Sequence, residues 1–282
     1  MSETNESLFR PYMKRLAGTY TLSFGESVLE LMYPFAIGLA INGLLDGQGV
    51  VSLVPLIAIW LSQTVFSAVY EMTSARVVAR MYRELADQLI IKPEGTKQDD
   101  SQVTARVEMV NEVSESFTDV VPGLINGVVG IVVSAVMLFV YDLYAGLVAL
   151  GLIGINALIQ WRFGIRAMDL SEKINTRREG QVNIIKARKP ASVRKHFKSL
   201  TKLNVRFSDT EAGTWAVADV VSLGALAAIL MIIAGTGAFD AGTIFAMVTY
   251  LMTLTDSLEE GPILIEEGAH FLDVSSRLNE KV

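Results

Sequence analysis

With 282 residues, 51% of them hydrophobic and 19% charged, the chain lacks the polar surface that a water-soluble fold of this size presents. A net charge of −6 argues against nucleic acid as a partner, because phosphate binding needs a clustered excess of Lys and Arg. The absence of cysteine excludes disulfides, thiolate metal sites and a cysteine nucleophile.

Residues 1–17 are polar and mixed in charge, unlike a cleaved signal peptide, and are read as a cytoplasmic N-terminal segment. A bilayer-spanning helix needs about 20 mostly apolar residues. Stretches 24–45, 51–70, 120–141, 144–161, 215–235 and 242–264, all within 18–272, meet that need. The expected fold class is an all-α membrane protein with six transmembrane helices. Tight turns near Asp46 and Gly47, at Asp142 and over 237–240 alternate with long links at 71–119 and 162–214, and 273–282 form a cytoplasmic tail.

All 24 Lys and Arg residues fall in the N-terminal segment, the long links or the tail, and none in the tight turns. Positive residues stay on the cytoplasmic side, so both termini are expected there. Tyr141 and Tyr144 flank the middle outer turn, while Trp161 and Trp215 mark the inner ends of spans four and five.

In the first link Val78, Met81, Leu85 and Leu89 recur at helical spacing, and in the second Phe197, Leu200, Leu203 and Phe207 do the same. These links are predicted to continue the spans as cytoplasmic helical hairpins. Pro93-Glu94-Gly95 and Lys189-Pro190 break them where the chain turns back.

Counted from the outer turns at about 1.5 Å per residue, Glu26, Glu30, Glu71, Asp119, Asp219, Asp256, Glu259 and Glu260 fall at the inner third or inner interface. A charge at that depth is costly unless it faces a wet cavity or a partner. Glu26 and Glu30 share a helix face, as does Asp256 with either Glu259 or Glu260. Glu26, Glu30, Asp219, Asp256 and Glu259 form the candidate wall of a cytoplasm-facing vestibule for a cation, which is an organic amine, a metal ion or protons. The competing reading treats such acids, Glu71, Asp119 and Glu260 above all, as interfacial residues paired with Arg76, Arg80, Arg162 or Arg166.

Gly123-x-x-x-Gly127 in span three and Gly146, Gly151 and Gly154 in span four allow close helix approach, within one subunit or across a dimer. The basic run 186–202 is either a solvated face or a dock for an acidic protein or anionic lipid. His196 and His270 are far apart and without ligand spacing, and no nucleophile, base and acid stand in a catalytic pattern. Neither a metal site nor an enzyme is expected.

Four local stretches carry a resemblance: Pro34-Phe35-Ala36-Ile37-Gly38 with Ile41-Asn42-Gly43-Leu44-Leu45, Arg106 with Glu108 leading into span three, Phe139-Val140-Tyr141-Asp142-Leu143, and Gly261-Pro262. Their order and spacing resemble the transmembrane domain of exporter-type (type I) ABC transporters, from about Leu29 to Arg277. The resemblance implies a homodimer of six-helix units that moves a substrate across the plasma membrane, the inner membrane of a bacterium. A nucleotide-binding domain usually follows span six in that family, but no Gly-x-x-x-x-Gly-Lys-Ser/Thr occurs here. ATP and magnesium are therefore expected only on a separate nucleotide-binding subunit, with no cofactor on this chain. Pro93, Glu94, Lys189, Pro190 and Arg194 are the candidate docking residues for it. Pro93 lacks the family's following aromatic pair, and Gln181-Val182-Asn183-Ile184-Ile185 replaces the usual acidic-then-Gly-Ile run. These departures carry the alternative, a stand-alone protein without ATP coupling that serves as a cation pathway or membrane regulator.

Overall fold

The computed structural model describes residues 9–90 and 100–280, and among them no strand occurs. The helices are α1 (Met13–Glu30), α2 (Tyr33–Leu45), α3 (Val54–Ile90), α4 (Asp100–Tyr141), α5 (Leu143–Glu179), α6 (Gln181–Ala187), α7 (Pro190–Thr236) and α8 (Ala241–Glu280). Short 3₁₀ turns at Arg10–Tyr12 and Gly49–Leu53 lead into α1 and α3. Five helical rods, Arg10–Leu45, Gly49–Gln88, Val103–Tyr141, Leu143–Lys186 and Pro190–Thr236, are long and apolar enough to cross a membrane. The sixth rod, α8, is long enough but carries Thr243, Thr249, Thr253, Thr255, Asp256 and Ser257 in its first half, and these polar residues keep it out of that set.

Span one departs from an unbroken 24–45 helix. Pro34 has no N–H to give the carbonyl of Glu30, so α1 ends at Glu30 and α2 begins at Tyr33. The Tyr250 hydroxyl donates to the Leu31 carbonyl at this break (2.9 Å). A parallel arrangement occurs in α4, where Pro122 deprives the Thr118 carbonyl of its helical donor. Tyr70 donates its hydroxyl to that carbonyl (3.3 Å), and Tyr20 donates to the neighbouring Phe117 carbonyl (3.2 Å). Buried backbone acceptors at proline breaks thus find side-chain donors.

The described chain divides into two compact units, 144–235 and the remainder. In the larger unit, α8 packs on α4 and α2, and α1 packs on α3 and α4. The charged ends of these helices share a core of Phe9, Tyr12, Leu16, Met81, Leu85, Val110, Val113, Phe117 and Val274. Phe117 sits between Phe9 and Phe271, with ring centroids 5.5 and 5.0 Å away. Three residues of the polar 1–17 segment, Phe9, Tyr12 and Leu16, therefore serve as packing residues, each such side chain contributing about 1.5–3 kcal/mol by burial. The Tyr12 hydroxyl donates to Glu84 Oε2 (2.6 Å), and burial together with that carboxylate pushes the phenol up to about 12, so it stays a donor.

At the other end of this unit, Asp240 caps α8 by accepting the Thr243 N–H (2.8 Å). Asn42 ties α2 to that cap, donating to Asp240 Oδ1 (2.6 Å) and accepting the Gly242 N–H (2.7 Å). The Thr243 contacts, helped by Asn42, hold the Asp240 carboxyl below its ordinary range. Gly38 and Gly242 bring the two backbones so close that a Cβ on Gly242 would overlap the Gly38 carbonyl oxygen. Farther along, Gly123 and Gly127 receive the Leu264 side chain of α8, so this glycine pair packs within the unit.

The smaller unit contains α6 and nearly all of α5 and α7. Arg188 ends α6 in the left-handed region (φ 49°), and Pro190 opens α7, where its missing N–H costs nothing. Phe163 and Phe207 meet edge-on at 6.4 Å. Lys173 and Asp169 form an exposed i,i+4 pair that contributes little. Added methyl groups at Gly151 or Gly154 would meet open space.

Candidate functional site

The break in span one creates a wall. Glu30, Leu31, Tyr33 and Pro34 face Asn126 and Gly130 of α4 and Thr249, Thr253, Asp256, Ser257 and Glu260 of α8 across a cleft of about 330 Å³. That volume lies in the range of small-molecule sites. On α8 the five polar residues fall at steps of four, three, one and three, which is one face of a helix. The same face lowers the apolarity of the rod, so the feature that weakens α8 as a span is the one that lines the cleft.

Of the acids singled out from sequence, Glu30 and Asp256 line this cleft, and Glu260 joins them in preference to Glu259. Glu259 is half-buried next to it along the helix. Glu26 turns to Gln63 of α3, whose amide donates to Glu26 Oε1 (3.4 Å) while Gln63 Oε1 accepts the Tyr33 hydroxyl (3.0 Å). Asp219 is exposed on α7 in the smaller unit. Among the described residues of the larger unit, Arg76 and Arg80 make no ion pair with these acids. The three cleft carboxylates thus have no bound counter-charge from that side.

Ser257 adds a neutral acceptor. It is 9% exposed, and its Oγ occupies the space that Gly130 leaves by lacking a side chain. The Ser257 hydroxyl makes no hydrogen bond among the described residues, although Thr249 and Thr253 on the same face each donate to a carbonyl one turn back. Asn126, Thr249, Thr253 and Ser257 did not stand out in the sequence, because singly they are ordinary helix residues. The spacing of Thr249, Thr253, Asp256 and Glu260 was the available signal.

A second depression between α4 and α8 is lined by Ser116, Val120, Ile263, Glu266, Glu267 and His270, with His270 Nδ1 3.5 Å from Glu112 Oε1. Both partners are about half exposed, so that contact is weak. Among the described residues no group of three or more His, Cys, Asp or Glu side chains converges to hold a metal ion. Of the candidate docking residues, Lys189, Pro190 and Arg194 are exposed at the α6–α7 junction, and Pro93 and Glu94 lie outside the described residues.

No curated protein shows significant similarity to the chain. Residues 7–243 match the family model for the ABC transporter transmembrane region. The match stops at the start of α8, so the cleft residues Thr249–Glu260 lie beyond it while Glu30, Tyr33 and Asn126 lie within. Matched over most of its length, and folded into helical rods of which five are long and apolar enough to cross a membrane, the chain belongs to the family of ABC transporter transmembrane regions.

Proposed function

We propose that this protein is the permease subunit of an ABC-type transporter, a homodimer in the plasma membrane that moves a cationic substrate using ATP hydrolysed by a separate nucleotide-binding subunit. Membership of the family supports a role in membrane transport. The observation that carries the finer reading is the cleft at the break of span one, where three carboxylates stand without a described cation beside them. Acids at membrane depth persist where they serve a pathway or a partner. Each of the three rods around the cleft contains a proline, Pro34, Pro122 or Pro262, and such breaks give a helix a place to bend during alternating access. Both termini lie in the cytoplasm, and ATP and magnesium belong to the partner.

Gentle solubilisation from the native membrane tests this. A dimer that carries a nucleotide-binding subunit and substrate-stimulated ATP turnover supports the proposal. An intact dimer with neither supports the second reading, a stand-alone cation pathway or regulator, which the missing aromatic pair after Pro93 favours. Reporter fusions at Asp142 and near Lys186 test the orientation, and finding both in one compartment rejects it.

A further inference from the structure

We infer that the cleft selects an organic di- or polyammonium ion rather than a bare metal ion or a simple monoamine. The inference rests on reading the cleft as the place of the transported cation. A bare divalent ion needs several oxygen ligands converging within about 2.0–2.6 Å of one point. The acids here do not converge: among the described residues no three His, Cys, Asp or Glu side chains are grouped to hold a metal ion, yet three carboxylates line one cleft of about 330 Å³. Charge spread over a cleft matches charge spread along a ligand.

The spacing specifies the ligand further. Asp256 and Glu260 are one helical turn apart, which sets their Cβ atoms at about 5–6 Å. The propane and butane spacers of simple diamines hold two nitrogens at a comparable separation, so one ammonium can meet each carboxylate. Glu30, on the opposite wall, is placed for a further nitrogen. Ser257 is an independent pointer to a ligand. The residue is nine-tenths buried, its hydroxyl lines the cleft without a partner among the described residues, and it can accept an N–H that a metal ion does not have. Leu31 and Pro34 supply apolar surface for the methylene spacers.

The test measures binding of spermidine, propylamine and magnesium chloride to the full chain in nanodiscs of neutral phosphatidylcholine, by calorimetry. Spermidine should bind at least about tenfold more tightly than propylamine, with magnesium failing to displace it. Asp256→Asn and Glu260→Gln should each remove most of that preference, and Ser257→Ala should weaken spermidine several-fold, with melting temperatures close to the unaltered protein. Propylamine binding as tightly as spermidine, or magnesium displacing it at similar concentration, would overturn the polyammonium assignment while leaving a cation cleft. Spermidine affinity that survives the combined loss of Glu30, Asp256 and Glu260 charge would overturn it as well. Failure of all three cations to bind a folded protein would remove the cleft reading itself.

Discussion

The two units treat the same sequence pattern differently. In the larger unit the spaced apolar residues Met81 and Leu85 are fully buried, because α1, α4 and the Phe9–Leu16 segment close over them. In the smaller unit the matching stripe of Phe197, Leu200, Leu203 and Phe207 is only half covered, and Phe197 stays 41% exposed. Periodicity tells a helix which face to bury, but a face is buried only if enough neighbours exist. A unit of four rods supplies them and a unit of two rods does not. Lipid covers such faces at membrane depth, and under the proposed homodimer a second copy covers those beyond it.

The contrast can be broken most directly at aromatic core positions. Phe117→Ala removes the ring between Phe9 and Phe271 and should destabilise by about 3–5 kcal/mol, while Phe197→Ala should stay within about 0.5 kcal/mol in the isolated chain. Thermal unfolding in detergent compares them, and equal losses would erase the distinction. A smaller effect separates the glycines. Gly242→Ala forces a methyl group against the Gly38 carbonyl and should cost about 1–3 kcal/mol or disrupt the α2–α8 crossing, whereas Gly151→Ala should be silent by the same assay.

Smaller again is the polar tie at that end. Asn42→Ala removes the bonds to Asp240 and to the Gly242 N–H and should lower stability by about 1–2 kcal/mol, read as a loss of chymotrypsin resistance at Phe239. The smallest effect is in pH. The folded state lowers the Asp240 carboxyl, so its contribution is fully present above the ordinary carboxylate range and fades as pH falls through the lowered value. Asp240→Asn should flatten only this acid limb of a stability–pH curve, and a change in the neutral region would show that some other group is responsible.

Much of the architecture could be read directly from residues. Apolar runs of membrane length, turns free of Lys and Arg, and breaks at Lys189-Pro190 are local properties, each decided within a few residues of chain. The site was legible only in part. Glu30 and Asp256 stand out because an acid in an apolar run is conspicuous, whereas Ser257 and Asn126 gain meaning only from what lies across the cleft. Glu259 and Glu260 differ by 100° around a helix, and sequence alone does not say which side α8 turns toward α2 and α4.

Composition and spacing were enough to determine that this chain enters a membrane as long helices, because hydrophobic length and charge placement act on each segment separately. Tertiary structure alone decided that Pro34 opens a cleft, that Tyr250 and Tyr70 serve the carbonyls at proline breaks, and that Asn42 clamps α2 to α8. Those are contacts between residues up to 219 positions apart. A contact at that distance exists only after packing has chosen which helix faces meet, and no property of either residue by itself contains that choice.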